Sequence, residues 1–157
     1  MDKVAVIGGG SMGNGIAHVL AKFGIQVVLV EANPDALGRA RATIEKNLAR
    51  EVSKGKLDEA SARLAFERIT GSVALDAARG AQLAIEAVPE RRELKLPLFR
   101  QLDQLLAPEA ILASNTSSIS ITELAAATSR PDRFIGMHFM NPVPMMKLVE
   151  VIRGLQT

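Results

Sequence analysis

Gly8-Gly9-Gly10-Ser11-Met12-Gly13 has the spacing G-x-G-x-x-G and stands between a short apolar run and a helical stretch. In that setting Gly8 makes a tight turn, and Gly10 lets backbone approach a pyrophosphate. Gly13 lets a helix pack closely on a strand. Free N–H groups at the helix start, from Ser11 onward through Met12, then face the phosphates with a partial positive charge. Glu31 ends the next apolar run, roughly 20 residues beyond the pattern, where an acid accepts hydrogen bonds from adenosine ribose hydroxyls. Such an acid repels a 2′-phosphate, and Ala32 and Asn33 follow it rather than an arginine. The two features together read as an NAD site in preference to an NADP site.

Three later segments carry further polar groups. They are Ile85-Glu86-Ala87-Val88-Pro89-Glu90, then Ser114-Asn115-Thr116-Ser117-Ser118, then His138-Phe139-Met140-Asn141-Pro142 running into Leu148-Val149-Glu150-Val151. On patterning alone, a single histidine near a strand end is more often structural than catalytic. Likewise a lone Glu150 reads as a surface carboxylate, and Ser117 and Asn115 as turn residues. The four segments in this order, however, resemble the 3-hydroxyacyl-CoA dehydrogenases over essentially the whole chain. The resemblance implies NAD-dependent oxidation of (S)-3-hydroxyacyl-CoA to 3-oxoacyl-CoA. It implies that His138 is the catalytic base, that Glu150 is its carboxylate partner, and that Ser117 hydrogen-bonds the substrate oxygen. By the same resemblance Asn141 lines that site, and Glu90, Lys95 and Asn115 surround the cofactor. Gly9 stands where alanine is common in the family, and Met140 where phenylalanine is common.

These residue types suit the reaction. Oxidising a secondary alcohol removes a proton from oxygen and a hydride from carbon. The cofactor takes the hydride, and histidine is the side chain suited to take the proton near neutral pH. A carboxylate on its other ring nitrogen fixes the tautomer and stabilises the imidazolium as it forms. His18, in the first helical stretch, reads as merely solvated or packed. The family also contains sugar-acid dehydrogenases, and a non-catalytic NAD-binding module is a further alternative.

The elements that must position these groups follow from apolar patterning. Val4–Ile7 and Val27–Val30 are short, wholly apolar runs, the mark of parallel strands buried on both faces. Between them Met12–Phe23 is predicted helical, with Ile16, Val19, Leu20 and Phe23 on its apolar face and Gly24 ending it. Asn33-Pro34 opens a long helix to about Lys54, Gly55 breaks it, and Asp58 caps a second helix to about Arg68. Strands are predicted near Ile69–Val73, Leu83–Val88, Ile111–Ser114, Phe134–His138 and Leu148–Ile152. Helices are predicted over Arg91–Leu106, with a kink or late start at Pro97, and over Ile121–Thr128. The alternation predicts an α/β fold, a Rossmann-type doubly wound, mostly parallel sheet with an inserted charged helical hairpin. The hairpin carries Arg39, Arg41, Lys46, Arg50, Lys54 and Lys56 among acids, a mixed face that is solvated by default. The resemblance places coenzyme A phosphates beside such residues, with Lys54 and Lys56 as the contacts.

Composition narrows the field. The chain has 157 residues, no cysteine, no Trp or Tyr, and 19 basic against 17 acidic side chains. That excludes disulfides, thiolate nucleophiles and cysteine metal sites, and no metal is expected. No basic stripe points to nucleic acid, and no apolar run reaches the ~20 residues of a membrane span. Met1-Asp2-Lys3 leads straight into a strand, unlike a signal peptide, so a cytoplasmic location is expected. The resemblance implies a helical C-terminal domain beyond these residues, which completes the acyl-CoA cleft and forms most of a homodimer. The expectation is therefore a fragment or a module of a split protein. It should bind NAD, turn over acyl-CoA poorly by itself, and carry an apolar surface near its C-terminal end.

Overall fold

A computed structural model describes residues Met1–Thr157. Seven strands form one sheet: β1 (Lys3–Ile7), β2 (Gln26–Val30), β3 (Ile69–Ser72), β4 (Leu83–Glu86), β5 (Ile111–Ser114), β6 (Phe134–Phe139) and β7 (Val149–Arg153). Their spatial order is β3-β2-β1-β4-β5-β6-β7. All neighbours are parallel except β6 and β7. The chain leaves β1 toward one edge and returns at β4 to build toward the other. The crevice at the carboxyl ends of β1 and β4 is thus the switch point where such sheets bind ligands.

Alternation along each strand divides the core in two. Val4, Val6, Val27, Leu29 and Ile85 face one side. There they pack on α1 (Ser11–Lys22), α2 (Pro34–Ser53) and α3 (Glu59–Glu67). Ala5, Ile7, Val28, Leu112 and Phe134 face the other, against α4 (Arg92–Leu105) and α5 (Ile121–Ala125). The α2–α3 hairpin is capped as predicted. Asn33 Oδ1 accepts from the Ala36 N–H at 2.9 Å, and Asp58 Oδ1 accepts from the Ser61 N–H at 2.8 Å. Gly55, at φ +65°, makes the turn between them.

Two expectations are corrected. Phe23 is 78% exposed and is no part of the buried face of α1. That face is instead built from Gly13, Ile16, Ala17, His18 and Ala21, and Phe23 stands at the C-cap, just past the last helical residue. Pro97 causes no late start: α4 opens at Arg92 and runs through it, so only the Glu93 carbonyl loses its usual donor. The predicted strand Phe134–His138 is borne out as β6, which runs one residue further, to Phe139.

Apolar residues are exposed near the C-terminal end as expected, with Leu148, Val151, Ile152 and Leu155 along and beside β7. No helix is long and apolar enough to cross a membrane.

Arg130 anchors the C-terminal end of α4. Its guanidinium donates to Asp103 Oδ1 at 2.6 Å, to the Asp103 carbonyl at 2.5 Å, and to the carbonyls of Leu106 and Ala107. Those carbonyls have no partner inside the helix. Burial acts to raise the Asp103 pKa, but hydrogen bonds from Ser129 and the Arg130 cation outweigh it and hold the carboxyl below its ordinary value. Arg130→Ala is expected to cost about 3 kcal/mol by stranding a largely desolvated carboxylate and several helix-end carbonyls, seen in a thermal melt as a fall of roughly 6–12 °C. Because the Asp103 pKa is depressed on folding, its contribution is present above the unfolded value. It is lost as pH falls through the folded one, so the gap between wild type and variant should close in acid.

Candidate functional site

The glycine turn joins β1 to α1 as the spacing predicts. Gly8 has φ +95°, and a Cβ there would stand 2.7 Å from the Ala87 carbonyl oxygen. A Cβ on Gly13 would overlap the Gly8 carbonyl oxygen. Around Gly10, by contrast, a Cβ would meet nothing within 4 Å, because it would point into open space. Two of the glycines therefore serve the fold, and Gly10 leaves room for something from outside it. Gly9 has its own reason to lack a side chain: a Cβ would lie 2.7 Å from Ala40 Cβ on α2.

A groove of about 1030 Å³ runs along this turn and across the switch point. Gly8, Gly10, Ser11, Met12 and Glu31 line one part of it. Glu90, Lys95, Asn115, Ser117, His138 and Asn141 line the rest. Every residue expected from the sequence around the cofactor or the reacting atoms, apart from the tightly packed Gly13 and the outlying Glu150, thus borders one cavity. Glu31 Oε1 accepts from the Gly9 N–H at 2.6 Å and Oε2 from the Ala32 N–H at 2.9 Å. Each oxygen keeps a lone pair for a ribose hydroxyl. The free N–H groups at the start of α1, the open face of Gly10 and this oriented carboxylate fit a dinucleotide.

At the far end of the groove, antiparallel pairing sets His138 directly opposite Glu150. His138 Nδ1 lies 2.8 Å from Glu150 Oε2. An ionised carboxylate can only accept, so Nδ1 carries a proton, and in the neutral imidazole the lone pair is on Nε2. Asn115, just past β5, accepts the Phe139 N–H at 2.9 Å through Oδ1. That bond ties the Asn115–Ser118 run to the strand bearing the histidine.

Sequence reasoning missed the group that holds these segments together. Glu86 is wholly buried. Its carboxylate accepts from Lys95 Nζ at 2.8 and 3.0 Å, from Ser114 Oγ at 2.6 Å and from the Val88 N–H at 2.8 Å. Lys95, 1% exposed, also reaches Glu90 Oε2 at 2.8 Å. Glu90 in turn accepts from the Thr116 hydroxyl and from the N–H groups of Ser117 and Ser118. Burial acts to raise the Glu90 pKa, but hydrogen bonds from Lys95 and Thr116 and the charge of Lys95 pull it down to about 2. Lys95 therefore acts at the groove through the carboxylates it holds. A signal was present: an acid inside the apolar run Leu83–Val88 must be paired if that run is a buried strand.

A second cleft, of about 630 Å³, lies between α1, the end of α2 and the segment 142–147. Lys54 and Lys56 line it, joined by Lys22, Arg50 and Lys147. Lys22 and Lys147 come from outside the hairpin and were not anticipated. Arg41, by contrast, is structural, donating to the Ile69 carbonyl at 2.6 Å and lying 4.6 Å from the centre of the Phe66 ring.

The contrast among the glycines generates a test. Gly10→Val should leave the melting temperature within about 2 °C of wild type, since surface changes without contacts are nearly neutral. It should nevertheless weaken NAD binding at least about tenfold in calorimetry, by filling the space the phosphates need. Gly13→Ala should instead destabilise the fold itself.

Residues 3–157 match the family described as 3-hydroxyacyl-CoA dehydrogenase, NAD binding domain. The chain is 55% identical over 157 residues to a 3-hydroxybutyryl-CoA dehydrogenase of Bradyrhizobium diazoefficiens, covering 100% of this chain and 54% of that protein. It is 46% identical to the 3-hydroxyadipyl-CoA dehydrogenase of Escherichia coli, covering 100% of this chain and 33% of that one. The crystal structure of (S)-3-hydroxybutyryl-CoA dehydrogenase from Ralstonia eutropha aligns with a TM-score of 0.98 at 49% identity, over 100% of this chain and 56% of that one. The chain spans about half the length of the first curated relatives it matches. With a doubly wound sheet, a glycine turn open at Gly10 and an oriented acid at Glu31, it belongs to the 3-hydroxyacyl-CoA dehydrogenase family as an NAD-binding domain.

Proposed function

We propose that this chain provides the cofactor site and the catalytic base for reversible oxidation of (S)-3-hydroxyacyl-CoA to 3-oxoacyl-CoA. The observation that carries the reading is the His138–Glu150 pair at the end of the dinucleotide groove. When bound, NAD accepts the hydride released from the substrate carbon. His138 Nε2 takes the hydroxyl proton as the carbon–oxygen double bond forms, and Glu150 stabilises the resulting imidazolium through Nδ1–H. Ser117, whose backbone Glu90 holds at 3.0 Å, presents its hydroxyl to the substrate oxygen, and Asn141 borders the same space.

The second cleft suits the nucleotide end of coenzyme A. Arg50, Lys54, Lys56 and Lys147 offer the positive charge that its phosphates require. Relatives named for 3-hydroxybutyryl-CoA and 3-hydroxyadipyl-CoA support the thioester class. A helical domain packed on the exposed apolar residues around β7 would close the acyl cleft and carry the contacts of a homodimer.

In the whole protein, His138→Gln should lower kcat for acetoacetyl-CoA reduction by roughly 10²–10⁴-fold, the usual range for a lost acid–base group. Calorimetry should show NAD binding unchanged. Loss of both would assign His138 a structural role and overturn the reading.

A further inference from the structure

His18 on α1 is the one buried histidine outside the active groove, at 1% exposure. Its Nδ1 is the only buried side-chain nitrogen or oxygen in the structure without a hydrogen-bond partner. An apolar residue would avoid that cost, so the other nitrogen must explain the residue. His18 Nε2 lies 3.0 Å from Glu51 Oε1, and Lys22 Nζ pairs with Glu51 Oε2. His18 and Lys22 are one helical turn apart on the same face of α1. Glu51 sits in the last turn of α2. Both oxygens of one carboxylate are thus held against α1.

Glu51 is also the only acidic residue lining the second cleft, where it shares the walls with Lys22, Arg50, Lys54, Lys56 and Lys147. The opposite wall is brought close because α1 has no side chain at Gly15, where a Cβ would stand 2.8 Å from Val143 Cβ. A carboxylate free to swing in this space would pair with the cations and compete with any incoming phosphate. With the Nε2 bond intact, only Lys22 is neutralised and the other four cations stay available.

We propose that His18 is a positioning residue for substrate binding: it restrains Glu51 against α1 and so keeps the cationic cleft open to the phosphates of coenzyme A. The proposal rests on the reading of this cleft given above, and it makes a prediction that a merely structural histidine would not.

The test is a double-mutant cycle on the whole protein, with coenzyme A itself as the calorimetric probe and NAD as the control. His18→Leu should weaken coenzyme A binding about threefold to fivefold, the scale of a half-exposed charge pair, without changing NAD binding. His18→Gln, whose amide N–H can reach Glu51, should restore it. In a Glu51→Gln background, where no negative charge remains to restrain, His18→Leu should have no effect. Equal weakening in both backgrounds would overturn the proposal. If His18→Leu does not fold, His18→Met takes its place in both backgrounds: weakening that disappears with Glu51→Gln supports the proposal, and equal weakening or none refutes it. Lys54→Gln tests the underlying reading separately. If it leaves coenzyme A affinity untouched, the cleft is not the nucleotide site and the proposal falls with it. If it weakens binding while His18→Leu does not, only the role of His18 is refuted.

Discussion

The Glu86–Lys95 pair is the interaction on which the site's arrangement depends. Removing two charges from water is strongly unfavourable unless every lone pair and proton is met. Here the carboxylate takes four hydrogen bonds, from Lys95, Ser114 and the Val88 backbone, and the ammonium is shared between Glu86 and Glu90. Satisfying those groups locks four pieces of chain together: the end of β4, the turn after it, α4 and the end of β5. Glu90, set in place from beneath, then gathers the N–H groups of Ser117 and Ser118. The serine run is therefore held by a buried charge network and not by its own turn propensity.

The sheet supplies the second constraint. Parallel order places the carboxyl ends of β1, β2, β4, β5 and β6 at one edge, so the glycine turn, Glu31, Glu90, Asn115 and His138 open on a common groove. β7 runs the other way, and its register sets Glu150 opposite His138. A slip of one residue would put Val149 or Val151 there and turn the carboxylate to the other face. The Asn115 side chain reinforces the arrangement by accepting the Phe139 N–H across the gap between β5 and β6.

The two cavities are distinct in chemistry. One is a long groove with glycine and apolar walls and a few directed polar groups, suited to a dinucleotide and a small reacting centre. The other is shorter and lined by five cations and one carboxylate. Segment 138–147 borders both, contributing His138 and Asn141 to the first and Met145 and Lys147 to the second. A ligand spanning both would run along this segment, with its reactive end beside the histidine.

By itself the sequence determined the strand–helix alternation, the glycine turn, the acid after β2, the caps of the hairpin and the order of the polar segments. All of these are local: each depends on neighbours a few residues away, through periodicity, φ preference or helix-end hydrogen bonding. Only the tertiary structure decided which face of α1 is buried, and Phe23, at the C-cap just past the helix, proved exposed. It alone decided that Lys95 is committed to Glu86 and Glu90 and that Glu51 is held by His18 and Lys22. It alone brought Lys22 and Lys147 beside Lys54. Those outcomes turn on charges brought together by the packing of separate elements, and the energy of such a meeting depends on the distance and burial that only the folded chain creates.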